Sequence, residues 1–105
     1  MAKRLAGFEE LVLLTVASLG DSAYGVTVQE RLETETRAPV SIGAVYAVLD
    51  RLERKGLVRS WVGGATAERG GRRKRYFKAT APGLTALREM DRLRAKLMTP
   101  APKPA

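Results

Sequence analysis

The chain contains no cysteine and no histidine in its 105 residues, only one tryptophan, and aromatic residues at just 6%. Without cysteine there is no disulfide framework and no thiolate metal site, which fits a reducing compartment. Without histidine, zinc loses another common ligand and proton transfer loses its commonest carrier, so the sequence argues against a metal centre and against an enzyme. No cofactor is expected. Long apolar runs are missing too: the densest stretch, Leu11 to Leu19, falls far short of the roughly 20 residues of a membrane span. No charged start followed by an apolar run and a small-residue cleavage site is seen. The expectation is a soluble, cytoplasmic protein with no membrane partner. Its length suits one domain that buries roughly 65% of the surface its unfolded chain exposes.

What the chain does have is positive charge, and all of the excess lies in one place. The formal net charge is +8, and the stretch Arg51 to Lys78 carries ten Lys or Arg against Glu53 and Glu68. Outside it, nine basic residues face nine acidic ones. Cations gathered beside a helix are the electrostatic footprint expected for a polyanion, and duplex nucleic acid is the commonest.

Periodicity gives four helices and one hairpin, with no internal repeat. From Phe8 to Leu19 almost no polar face remains, so the first helix needs cover on more than one side, a second subunit being one source of it. Gly20-Asp21-Ser22 ends it, and Asp21 or Ser22 is the expected cap of a second helix carrying Tyr24, Val28 and Leu32 on one face. Ser41 is expected to cap a third helix that runs to about Lys55 and stops at Gly56. On that helix Ile42, Val45, Val48, Leu49 and Leu52 share the apolar face. Gly43, Ala47, Asp50 and Arg54 lie opposite, with Tyr46 and Arg51 on the flanks. Gly43, Ala44 and Ala47 keep the exposed side small enough for close approach to a partner surface, as entry into a major groove about 12 Å wide requires. In isolation such small residues serve helix packing at least as well.

Leu57 to Val62 alternates as a strand, Arg75 to Ala79 supplies a second, and Gly63-Gly64 and Gly70-Gly71 bracket a loop of about a dozen residues between them. Six of the ten residues from Arg69 to Lys78 are basic. Alone, that run would read as a solvated loop. Six like charges in one hairpin work against compactness unless an anion offsets them, and here they adjoin the small-faced helix. A fourth helix from the capping residue Thr80 carries Leu84, Leu87, Met90, Leu93 and Leu97, a stripe longer than the remaining core requires. Thr99 to Ala105 is Pro-rich, aperiodic and expected to be a disordered tail.

The order helix, helix, helix, strand, strand is that of a winged helix-turn-helix, and three motifs make the likeness specific. Ser41-Ile42-Gly43-Ala44-Val45-Tyr46-Ala47-Val48-Leu49-Asp50-Arg51-Leu52-Glu53-Arg54-Lys55-Gly56-Leu57-Val58 resembles the recognition-helix signature of the PadR family of bacterial transcriptional regulators. That signature reads approximately S-P-G-x-[LV]-Y-x-x-L-x-R-L-E-x-x-G-L-[IV]. Gly71 to Gly83 resembles its wing-to-helix signature, a basic pair, two aromatics, then T-x-x-G, and Tyr24-Gly25 matches the step that opens its second helix. The likeness covers roughly residues 8 to 90. Ile42 and Ala47 stand where the family often has proline, and both favour a regular helix over a pre-bent entry.

The implied fold is mainly α with a small β-hairpin, class α+β. Residues 1–79 would form the winged helix-turn-helix with its N-terminal helix, 80–98 a dimerisation helix, and 99–105 the tail. Resemblance implies a repressor acting as a homodimer on double-stranded DNA, with Leu11, Leu14, Leu84, Leu87, Met90, Leu93 and Leu97 at the subunit contact. Ser41, Gly43, Ala44, Tyr46 and Ala47 would meet base edges and flanking phosphates, and Arg51 and Arg54 the backbone. Arg69, Arg72, Arg73, Lys74 and Arg75 of the wing would bind phosphate or enter the minor groove. Tyr76 and Phe77 face opposite sides of their strand, one inward and one over the base of the wing, and Trp61 is expected to fill core. The family further implies release by a small hydrophobic or aromatic effector, whose existence the residues leave open. The alternatives are a winged-helix module that binds RNA or another protein without ligand sensing, and, last, an enzyme, for which the scattered, mostly exposed carboxylates offer no nucleophile and base pair.

Overall fold

The computed structural model describes residues 7–63 and 73–103. Its elements are α1 (Gly7–Leu19), a 3₁₀ turn (Gly20–Ser22), α2 (Gly25–Thr36), α3 (Ile42–Arg54), the antiparallel strands β1 (Val58–Gly63) and β2 (Lys74–Ala79), and α4 (Ala81–Met98). Register pairs Val58 with Ala79 and Gly63 with Lys74. On its other side β2 meets the chain before α2, where Phe77 N–H donates to the Ala23 carbonyl at 2.9 Å. The hairpin is thereby pinned through β2 to the chain that enters α2.

Local signals end the elements where side-chain chemistry allows. Ser41 Oγ accepts the Ala44 N–H at 3.2 Å, and Gly56 follows α3 with φ +76°, a left-handed conformation that glycine adopts without steric cost. Thr80 Oγ accepts the Gly83 N–H at 3.1 Å and donates to the Gly56 carbonyl at 2.7 Å, so one hydroxyl caps α4 and ties it to the end of α3. The second helix departs from expectation. Neither Asp21 nor Ser22 caps it; they lie in the 3₁₀ turn, and the N-cap is Tyr24, whose N–H donates to Thr27 Oγ at 3.0 Å. Thr27 in turn donates to the Ser22 carbonyl. Extended backbone at Tyr24 is what lets residues 23–24 run beside β2.

The core is one cluster: Val12, Leu13 and Val16 of α1, Val28 and Leu32 of α2, Val45, Val48, Leu49 and Leu52 of α3, with Leu57, Val58, Phe77 and Ala86. Phe77 is fully buried and each such side chain contributes about 1.5–3 kcal/mol relative to exposure. Ile42, assigned to that face by helical spacing, is instead partly exposed at the first position of α3. Glu9 and Glu10 are buried rather than solvated. Glu9 holds the Lys55 ammonium at 3.0 Å and the Arg51 guanidinium at 3.4 Å, and Glu10 pairs with Arg94, so both carboxylates clamp α1 to its neighbours.

Helix α4 meets the α3–β1 turn at Gly83 and packs on the core through Ala86, Leu87 and Met90, while Leu84 is exposed. A Cβ at Gly83 would overlap the Leu57 carbonyl, so the T-x-x-G step is a cap followed by a close backbone approach. Gly83→Ala is therefore expected to destabilise the fold by roughly 1–3 kcal/mol through overpacking. Thermal unfolding should show it as a fall of about 4–8 °C per kcal/mol.

Candidate nucleic-acid interface

The first half of α3 presents Gly43, Ala44 and Ala47, all exposed, with nothing larger than a methyl group on that line. Ser41 lies at its entrance with its hydroxyl engaged in the cap. Tyr46 is 40% exposed, and its ring packs against Gly25 at the start of α2, where a Cβ would overlap the phenol. Tyr24-Gly25 is therefore a steric requirement of Tyr46: the glycine admits the ring, and the ring sets the spacing of α2 from α3.

The hairpin adds charge and an aromatic base. Arg73 and Lys74 are exposed, and the Lys74 ammonium sits 4.4 Å from the centre of the Tyr24 ring, with Nζ 3.3 Å from the Tyr24 hydroxyl. Tyr76 stacks on Trp61 with ring centres 5.9 Å apart and meets Tyr24 edge-on at 5.6 Å. Phe77 is the aromatic that turns inward and Tyr76 the one that covers the base of the wing. Trp61 does not fill the core; it is partly exposed on the outer face of the hairpin, with the Arg59 guanidinium 5.2 Å from its ring centre. Arg69 and Arg72 lie outside the described residues.

Two predicted phosphate ligands have partners within the chain. Arg51 reaches back to Glu9, and Arg75 to Asp50 and Glu53 on α3. Arg54 is exposed on the outer line of α3. Helical spacing located Arg51 on the flank of α3 but gave no sign that α1 would supply a carboxylate there. The acidic partners are the functional residues that reading the sequence missed. For Glu9 the signal was the pair Glu9-Glu10 at the start of an otherwise apolar helix. On α4, a hydrogen bond to Glu10 and the charge of Glu10 raise the Arg94 guanidinium above its ordinary pKa.

Of the residues expected at a subunit contact, Leu11 and Leu14 of α1 are 43% and 52% exposed and Leu97 is 75% exposed. Leu87 and Met90 are partly buried against the core, and Leu93 is intermediate. Among the described residues no group of three or more acidic, cysteine or histidine side chains could hold a metal ion, and no helix is long and apolar enough to cross a membrane.

A family model described as the transcriptional regulator PadR-like family matches residues 13–89. The chain belongs to this family. Solved structures agree with the assignment. A PadR-like transcription factor from Bacteroides fragilis superposes with a TM-score of 0.73 at 24% identity, covering 86% of this chain and 82% of that one. A PadR-like transcriptional regulator from Bacillus cereus gives 0.70 at 21% identity over 86% and 82%. A PadR family transcriptional regulator from Eggerthella lenta gives 0.66 at 29% identity over 83% and 73%. Comparison with curated proteins returned no match. A PadR-like chain is a DNA-binding transcriptional regulator and not an enzyme, and its four helices and two-stranded hairpin are the α+β winged-helix arrangement of those structures.

Proposed function

We propose that this PadR-like regulator is a cytoplasmic repressor that binds a specific duplex operator as a homodimer. Residues 1–79 bind DNA and α4 pairs the subunits. The observation that carries this reading is a helix whose exposed line Gly43, Ala44, Ala47 is small, followed directly in the chain by a hairpin that exposes the cations Arg73 and Lys74. The small line lets a helix sink between base edges while the flanking cations hold phosphate. Dimerisation is supported by the apolar surface a single chain leaves open at Leu11, Leu14 and Leu97. A structural relative in the same fold group is described as a complex of hsRosR-S4, at 26% identity and a TM-score of 0.66.

Binding of purified protein to duplex fragments selected from its source genome, with RNA and random duplex as competitors, tests the reading. Arg73→Ala is expected to weaken all duplexes alike and to lower the slope of log K against log salt by about 0.9, the share of one phosphate contact. An unchanged slope would remove Arg73 from the phosphate-binding set. Preference for RNA, or no duplex binding together with capture of a protein partner, would replace operator recognition with an adaptor role.

Release of DNA by a small hydrophobic or aromatic effector completes the reading. A groove of about 580 Å³ between the turn Lys55 to Leu57 and the first turns of α4, lined by Ala81, Pro82, Thr85, Ala86 and Glu89, has the size and apolar character for such a compound. A molecule lodged there would press on the joint between α3 and β1. A panel of small aromatic compounds screened for raised thermal stability and lowered operator affinity tests this part. A panel that moves neither quantity removes the effector from the account.

A further inference from the structure

All three nitrogens of one wing guanidinium are committed within the chain. Arg75 Nε donates to Ser60 Oγ at 3.1 Å, Nη1 donates to Asp50 Oδ1 at 3.0 Å, and Nη2 donates to Glu53 Oε1. Ser60 donates to Glu53 Oε2 at 2.8 Å, so the side chains of Arg75, Ser60 and Glu53 close a ring, with Asp50 attached, that joins β2, β1 and α3. The guanidinium carbon also lies 4.9 Å from the centre of the fully buried Phe77 ring. Strand alternation explains the direction: Arg75 lies on the same face of the hairpin as Ser60 and Phe77, the face turned to α3, while Lys74 lies on the other.

Asp50 gives the arrangement its meaning for DNA. It continues the line Gly43, Ala47, Arg54 on the exposed side of α3, where an unneutralised carboxylate would repel phosphate. The pairing with Arg75 offsets that charge at the place where the hairpin leaves the helix. The forked guanidinium suits this role, since it can serve two carboxylates and a hydroxyl at once, whereas an ammonium is a compact point charge.

We infer that Arg75 is a positioning residue and not a phosphate ligand: it fixes the angle of the wing against the recognition helix and neutralises Asp50 and Glu53 beside the duplex. The inference rests on the DNA-binding reading of α3 and the hairpin, and it assigns a basic residue of the wing to a different task from its neighbours Arg73 and Lys74.

Salt-dependent binding separates the two tasks. Wild type, Arg75→Ala, Arg75→Lys and Arg73→Ala are titrated on the selected operator and on random duplex, after thermal unfolding has shown each to be folded. Arg75→Ala is expected to weaken operator binding about tenfold with the wild-type salt slope, and Arg75→Lys to behave like it, because a preserved charge does not restore the fork. Arg73→Ala lowers the slope. A slope for Arg75→Ala that falls as far as for Arg73→Ala, or recovery of wild-type affinity in Arg75→Lys, overturns the inference. Should Arg75→Ala fail to fold, the double variant Asp50→Asn with Glu53→Gln frees the guanidinium instead. The positioning role predicts a lower ratio of operator to random binding despite two fewer negative charges, and an unchanged or higher ratio contradicts it. Wild type that binds no duplex at all sinks the DNA-binding reading itself, an outcome distinct from these.

Discussion

Ala47→Glu is expected to abolish operator binding, by at least two orders of magnitude or about 3 kcal/mol, while leaving thermal unfolding within a few degrees of wild type. Ala47 is exposed at the middle of the small-faced line of α3, so a longer side chain there meets no core residue. Glutamate is a good helix former and should cost α3 little. Its like charge at Asp50, three residues on, and its opposite charge at Arg51, four residues on, are each worth only a few tenths of a kcal/mol and oppose one another. Against DNA nothing offsets it: the carboxylate would be pushed between base edges and phosphates that repel it, and its bulk would hold the helix out of the groove. Fluorescence anisotropy on a labelled operator, with unfolding followed by circular dichroism, measures both halves. A folded variant that binds normally would show that α3 does not enter the groove.

Leu11→Asp combined with Leu14→Asp is expected to turn a dimer into a folded monomer and to weaken operator binding by 100-fold or more. Both side chains are about half-exposed in the single chain, so charge is tolerated there before association but not after. The core face of α1, Val12, Leu13 and Val16, is untouched. Loss of affinity follows from arithmetic: a dimer brings its second recognition helix to the second half-site as an intramolecular event, an advantage of roughly 10² to 10⁴ that a monomer lacks. Light scattering gives the mass and anisotropy the affinity. Wild type that is already monomeric at binding concentrations, or a variant that stays dimeric, would move the subunit contact away from this face.

Local chemistry made much of the architecture legible before any coordinates. Ser41, Gly56 and Thr80 act on backbone within three or four residues of themselves, Ser41 and Thr80 opening α3 and α4 and Gly56 following the end of α3, as expected. What the sequence concealed depends on elements far apart in the chain meeting in space. Tyr46 carried a groove-facing assignment from its helical angle, yet the glycine that receives its ring belongs to α2. Arg51 and Arg75 looked like free cations because their carboxylates lie 42 and 25 residues away. Spacing along α4 gave the stripe that includes Leu84 but not the side that comes closest to the rest of the chain, which is marked by the absence of a side chain at Gly83. Charge clustering thus pointed to the hairpin and the helix before it, while which of its cations are paired within the protein needed the fold.

The most direct measurement is a hydroxyl-radical footprint of the purified protein on an operator fragment selected from its source genome, combined with the mass of the complex in solution. The account predicts two protected patches about one helical turn apart, related by a two-fold axis, with two chains on each duplex. One uninterrupted patch occupied by a single chain, or protection that random competitor DNA removes as readily as the operator itself, would contradict it.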